Sequence, residues 1–232
     1  MQRYDSAITT FSPSGQLLQV DNAMEAVNKG MCCVGVKGHD CVVLGVEKKE
    51  LNRLQDPRTV QKISQLDENI VVAFSGLNAD ARILCNLARL ECQSYRLSYE
   101  DAPAIDYISR HISSSMQKYT QKGGVRPYGI SMFVAGVGKD NVPHLYQTDP
   151  SGVHTEWYAS AIGRNNKNVL EFLEKTYEKD MSRENCLKIT CEALGRVAES
   201  GSRNIELVVI TRDKVEYLPA EDIDAVVASL AK

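Results

Sequence analysis

Residues 4–27 read YDSAITTFSPSGQLLQVDNAMEAV, and the reading of every later segment depends on how this stretch is placed. It holds an ordered leading segment, a Ser-Pro-Ser-Gly turn and a short amphipathic helix, all ahead of the first strand-like run at Met31. Within Ser12, Pro13, Ser14 and Gly15, proline fixes φ at the first central position, and glycine supplies a conformation that a Cβ would resist. Leu17, Val20, Ala23, Met24 and Val27 then recur at helical spacing, Asp21 favours the helix N-terminus and Gly30 supplies the stop. Few domains open this way.

Beyond the helix, strand-like runs come in adjacent pairs: MCCVGVKG with CVVLGVEKK, KISQLD with NIVVAFSG, then GISMFVAGVG with PHLYQTD and VHTEWYAS. Short polar breaks such as Gly38-His39-Asp40 and Asp67-Glu68-Asn69 divide them, which is the spacing of antiparallel hairpins. Between these blocks stand two helical patterns, about Asn78 to Ser94 and Tyr99 to Gln121. A second pair, about Lys167 to Lys179 and Arg183 to Ser200, precedes a final NIELVVIT hairpin. Helices that arrive in pairs argue against doubly wound βαβ units and for segregated layers, an α+β fold with helix pairs on the outer faces of two antiparallel sheets.

Composition narrows the function. The 232 residues fit one domain, 1–232, with a front segment at 1–30 and a core at 31–232, and no stretch has the composition of a linker. A net charge of -3 gives no basic field for nucleic acid or anionic membrane. No run of eighteen apolar residues exists and the N-terminus lacks a secretory leader, so cytoplasm and nucleus are the expected locations. The seven cysteines lie in apolar settings without a CxxC pair, so they read as buried, reduced packing residues. None of His39, His111, His144 and His154 has ligand spacing, so no metal and no cofactor is expected. Gly123-Gly124 lacks the Lys-Ser or Lys-Thr of a phosphate loop. Trp157 reads as a strand packing residue, and Glu171 to Asp180 as a solvated helix face.

The opening stretch resembles the signature that begins proteasome alpha-ring subunits. SGLNADAR (Ser75 to Arg82), YTQKGGVRPYG (Tyr119 to Gly129), LYQTDPSG (Leu145 to Gly152) and AIGRN (Ala161 to Asn165) fall in the order that family shows, so the resemblance covers almost the whole chain. It implies the four-layer α-β-β-α sandwich of the N-terminal nucleophile hydrolases. It also implies a seven-membered ring of alpha subunits stacked on beta-ring subunits, with a regulatory ATPase particle or other activators as further partners.

Active members of that fold expose a threonine at the head of the first core strand, where its hydroxyl attacks and its free amine serves as base. Here the strand opens Met31-Cys32-Cys33: a thioether, then two thiols that must face opposite sides. Glu47 and Lys62 fall where active relatives keep an acid and a lysine, but no nucleophile is there for them to activate. Catalytic residues are therefore expected to be absent.

The remaining motifs read as contact sites. Lys62 offers either one positive charge at the mouth of a backbone-lined groove or a solvated surface lysine. The resemblance implies the groove: a pocket of Lys62, Gly15, Gly76 and Leu77 that takes activator C-terminal tails. It likewise implies a gate cluster at Tyr4, Asp5 and Pro13, whose fourth member is usually a tyrosine. This chain reads QVDNA and places Asn22 there, losing a stacking surface and a phenolic donor. Only Met1, Gln2 and Arg3 precede Tyr4, so the chain is expected to frame the channel and not to plug it. Arg126, Pro127 and Tyr128 read as a subunit interface, with an internal ion pair for Arg126 as the alternative. Two other functions compete with a non-catalytic ring subunit: a self-sufficient Ntn-type peptidase or amidase, and a free adaptor that binds peptide tails.

Overall fold

The computed structural model describes residues 9–48, 54, 61–197 and 205–230. The turn forms as read: Gly15 has φ 78°, its amide donates to the Ser12 carbonyl at 2.9 Å, and the Gln16 amide donates to Ser12 Oγ at 3.1 Å. Helix α1 (Leu18–Asn28) follows and buries Val20, Ala23 and Val27, three of the five positions spaced as its apolar face.

Strands β1 (Cys33–Lys37) and β2 (Cys41–Glu47) form the first hairpin, and β3 (Ile63–Asp67) and β4 (Ile70–Gly76) the second. Helices α2 (Asn78–Tyr99) and α3 (Ile105–Gln121) come next, then β5 (Ile130–Val137), β6 (Pro143–Thr148), β7 (His154–Glu156) and β8 (Ala159–Ile162). Helices α4 (Asn166–Thr176) and α5 (Arg183–Gly195), strands β9 (Ile205–Thr211) and β10 (Val215–Tyr217) and helix α6 (Ala220–Leu230) complete the described chain. Two antiparallel five-stranded sheets result, ordered β10-β9-β2-β1-β8 and β3-β4-β5-β6-β7.

Period-two burial builds three apolar layers. On β4, Ile70, Val72 and Phe74 face α2 and α3, while Val71 and Ala73 enter the space between the sheets with Phe133, Ala135, Leu44 and Val208. On the other flank, Val34, Val36, Val43 and Leu207 meet Phe172, Leu173, Leu187 and Leu194 of α4 and α5. This is the expected four-layer sandwich.

Four local expectations change. The run at Val153 to Ser160 is two strands: β7 pairs with β6, β8 pairs with β1, and the chain crosses between sheets at Trp157 and Tyr158. Trp157 is therefore not packed in a strand; it is 40 % exposed, and its indole N–H donates to Thr155 Oγ1 at 2.7 Å. Helix α2 runs on to Tyr99 and stops where Glu100 turns left-handed (φ 53°), so α3 starts only at Ile105, after Pro103. Helix α6 lay outside the sequence reading.

All seven cysteines are buried and free. Cys32 and Cys33 face opposite layers, as their adjacency requires. Burial pushes the thiols of Cys32 and Cys92 up to about 12 and those of Cys85 and Cys191 to about 11. A hydrogen bond between Cys41 and Cys186 raises the first and lowers the second. A neutral, enclosed thiol is a poor nucleophile. Alkylation of the native protein by iodoacetamide is expected to run at least ~100-fold slower than in denaturant, where all seven thiols react; intact mass against time measures this.

Candidate functional site

The head of β1 is sealed. Val27 is 2 % exposed, and its carbonyl at the end of α1 accepts from Ser75 Oγ at 3.2 Å. Gly30 lies so close to the Gly76 amide that a Cβ there would sit 2.5 Å from it, and the Gly30 carbonyl accepts from the Arg164 amide at 2.9 Å. Beneath this seal, Cys33 Sγ donates to the Phe74 carbonyl at 3.1 Å, and burial raises its pKa further.

The acid and the lysine picked out by the sequence are both present, but each is engaged elsewhere. Glu47, 3 % exposed, takes both arms of the Arg164 guanidinium, with Nε at 3.0 Å, and its Oε2 accepts from the Cys32 amide at 3.4 Å. Lys62 instead donates to Asn78 Oδ1 at 2.5 Å and lies 5.1 Å from the centre of the Phe74 ring. A carboxylate saturated by arginine is a structural group, not a general base.

The alternative of a solvated Lys62 is overturned: the residue is only 8 % exposed. Burial lowers its pKa, against a smaller opposing influence from Cys33. Its amide partner leads directly to two other members of the expected pocket, since Asn78 follows Gly76 and Leu77 at the start of α2. Gly76 holds φ 115° against the Gly129 carbonyl, which also accepts from the Leu77 amide at 2.9 Å, and Leu77 is 44 % exposed. Gly15 lies in the exposed turn before α1, with no described atom within 4 Å of the position its Cβ would take.

The Gly-Gly-Val-Arg-Pro-Tyr-Gly loop is held by its own charge pair. Arg126 bonds both Asp80 oxygens, at 2.7 and 2.9 Å, and Asp80 Oδ2 accepts from the Gly129 amide at 3.0 Å. Burial raises the Asp80 pKa, but these donors outweigh it and hold the carboxyl below the usual range. The internal ion pair is thus real. Tyr128 corrects the interface expectation: it is 5 % exposed, with its ring 4.6 Å from Tyr119, so its surface is used inside this chain. Pro127 is buried too, whereas the Arg126 side chain keeps 60 % exposure.

Removing Arg126 would strand a buried carboxylate. Because the guanidinium is largely solvated and the Gly129 amide remains, we expect Arg126→Ala to cost about 2 kcal/mol in urea unfolding at pH 7. A carboxyl whose pKa is depressed by folding stabilises above its unfolded value, near 3.9, and that stabilisation is lost as pH falls through the folded value. The gap between variant and wild type should therefore narrow below about pH 4.

Of the expected gate cluster, Tyr4 and Asp5 lie outside the described residues, as do Met1, Gln2 and Arg3. Pro13 sits in the turn ahead of α1, and Asn22 is exposed on α1.

Residues 27–210 match the family described as "Proteasome subunit", and residues 4–26 match the N-terminal signature of its A-type subunits. The chain belongs to the proteasome subunit family. Its relatives include proteins named "Proteasome subunit alpha type-7" from Dictyostelium discoideum, 52 % identical over 97 % of this chain and 90 % of the relative, and from Solanum lycopersicum, 53 % identical over 99 % and 89 %. The relative of that name from Trypanosoma brucei brucei is 49 % identical over 99 % of this chain and 93 % of its own length.

As an alpha-type proteasome subunit, the chain is a non-catalytic member of the core particle, which agrees with the thioether of Met31 two residues ahead of β1. Three residues that organise the site escaped the sequence reading: Arg164, Asn78 and Asp80. All stood inside quoted motifs, AIGRN and SGLNADAR, but their partners lie 117, 16 and 46 residues away in sequence. The one signal in the sequence was charge type: an arginine in one motif against a lone acid in an apolar run.

Proposed function

We propose that this proteasome alpha subunit works through its surfaces: it helps assemble the alpha ring, restricts substrate access and receives the C-terminal tails of a regulatory ATPase or other activators, serving ubiquitin-dependent degradation in cytoplasm and nucleus. One observation carries the reading. The strand that bears the nucleophile in active members of the fold is closed here by α1 and Gly30, with its thiols neutral and Glu47 of the adjacent β2 bound to Arg164. What remains is a folded front segment and a set of exposed contacts.

The tail pocket rests on Lys62. A buried ammonium whose hydrogen-bond partner is a neutral amide favours an incoming carboxylate, and Gly76 and Leu77 flank it. The gate reading rests on Pro13 in the turn and Asn22 on the face of α1, together with Tyr4 and Asp5.

Native mass spectrometry of complexes isolated through this chain tests the whole. We expect the intact chain inside a core particle with other alpha and beta subunits, unmodified by threonine-directed covalent inhibitors that label its neighbours. A stable monomer at micromolar concentration supports the free adaptor, and a chain trimmed to Cys32 or Cys33 that takes up inhibitor supports the peptidase.

A further inference from the structure

The turn between β1 and β2 covers two cysteines that neither the sealed strand nor the tail pocket uses. Cys41 opens β2 and Cys186 lies in the first turn of α5, far apart in sequence but both fully buried in the layer between the sheet and its helices. Their sulfurs converge on one point: a Cβ on Gly38 would stand 3.2 Å from Cys41 Sγ and 2.9 Å from Cys186 Sγ. Cys32 and Cys33, neighbours in sequence, are not so placed, since they face opposite layers and Cys33 Sγ donates to the Phe74 carbonyl.

The cover over this pair is thin. Gly38 contributes no side chain, and His39 and Asp40, which complete the turn, are exposed. The turn is joined to the segment before α5 by the His39 amide, which donates to the Met181 carbonyl at 3.0 Å, and the same carbonyl accepts from Cys186 Sγ at 4.0 Å. A peroxide is little larger than water and enters through a smaller local opening than an alkylating reagent needs. Chemistry inside the pair is also set up. The hydrogen bond from Cys41 outweighs burial at Cys186 and shifts that thiol down, whereas burial shifts those of Cys32, Cys33, Cys85, Cys92 and Cys191 up. The thiolate is the nucleophile, so Cys186 is the sulfur that attacks.

We propose that Cys41 and Cys186 form a reversible disulfide when the particle meets a peroxide, tying the β1–β2 turn to α5. The Cys186 thiolate attacks one oxygen of hydrogen peroxide, the O–O bond breaks, and the hydroxide released takes up a proton as water, leaving Cys186 as a sulfenic acid. Cys41 sulfur then attacks Cys186 sulfur, the S–O bond breaks, and the departing hydroxide leaves with the Cys41 proton as a second water. Two thiols are oxidised and one peroxide is reduced to two waters. A dithiol reverses the bond by exchange. The link encloses the chain from β2 to the start of α5, a long loop whose closure restricts the unfolded chain and holds this layer shut while the oxidant persists.

The test uses assembled particles that carry this chain. They are treated with hydrogen peroxide, quenched with catalase, denatured in N-ethylmaleimide and digested for mass spectrometry. We expect a peptide pair joining Cys41 to Cys186, two hydrogens lighter than its reduced parts, that forms at least ~10-fold faster than any other thiol of this chain is oxidised and disappears with dithiothreitol. Cys186→Ser removes the link, Cys191→Ser keeps it, and Cys41→Ala repeats the first expectation should serine at 186 fail to fold. Amide exchange at His39 is expected to slow at least ~10-fold in oxidised wild-type particles and to stay unchanged by peroxide in the Cys186→Ser or Cys41→Ala particle. The proposal is overturned if both cysteines are recovered alkylated at a dose that oxidises exposed methionines of the particle, or if they end as separate sulfinic or sulfonic acids. Exchange at His39 that is equally fast before and after oxidation overturns it too.

Discussion

Replacing Gly76 by alanine is expected to remove the folded chain from the particle altogether. At φ 115° the residue occupies backbone space that side chains rarely enter, and its Cβ would be driven into the Gly129 carbonyl. Neither wall can yield cheaply. Gly129 accepts from the Leu77 amide at 2.9 Å and donates its own amide to Asp80 at 3.0 Å, so moving it loosens the start of α2 and the Arg126 loop together. On the other side, Gly30 lies against the Gly76 amide, which brings in the end of α1. Strain plus a displaced hydrogen-bond network places the cost at about 4 kcal/mol or more, a large share of a domain's net stability. The measurement is recovery of soluble variant and its fraction in purified particles. Recovery and unfolding midpoint equal to wild type would show that the β4–α2 junction is looser than its geometry indicates.

Lys62→Ala should leave assembly intact and weaken an activator's C-terminal peptide by roughly 10- to 100-fold, the worth of one charge-assisted hydrogen bond of about 1.5–3 kcal/mol. The fold should tolerate the change, because the ammonium is a burial cost to the isolated chain and, among the described residues, the side-chain hydrogen bond lost is the one to the Asn78 amide oxygen. The pH dependence follows from the sign of the shift. Burial lowers the lysine's pKa, so its charge disappears on alkaline titration sooner than that of an ordinary lysine, and tail affinity should begin to fall below pH 10.5. Fluorescence polarisation of a labelled tail peptide against assembled particles, for wild type and variant, reads both effects. Unchanged affinity in Lys62→Ala would discard Lys62 from the pocket. An alkaline decline of equal size in the variant would assign the titration to another group.

Much of this fold could be read from the chain because local chemistry and tertiary outcome agree. The glycine at position 15 takes the turn conformation it was expected to take, and the hairpins at Gly38-His39-Asp40 and Asp67-Glu68-Asn69 close where polar breaks interrupt apolar runs. What escaped was decided at longer range. VHTEWYAS alternates like one strand, and only the demand of two different sheets for an edge strand divides it at Trp157. Helix α6 follows Pro219 and opens with Glu221 and Asp222, a start signal that was present and unused.

The site behaved the same way. Residue types in the motifs showed where charge would collect, but not its pairings: Glu47 chose Arg164 over Lys62, and Arg126 turned inward to Asp80. Burial, not sequence spacing, made those choices.

The margins of the two sheets carry a last consequence. The outermost strands β7 and β10 have three residues each, β8 has four, and β3 has five with a shift of register between Gln65 and Asp67. Such stunted borders offer a stranger little backbone to zip onto. Subunits crowded side by side in a closed annulus are thereby kept from fusing into endless ribbons, and recognition is left to helices, turns and charge.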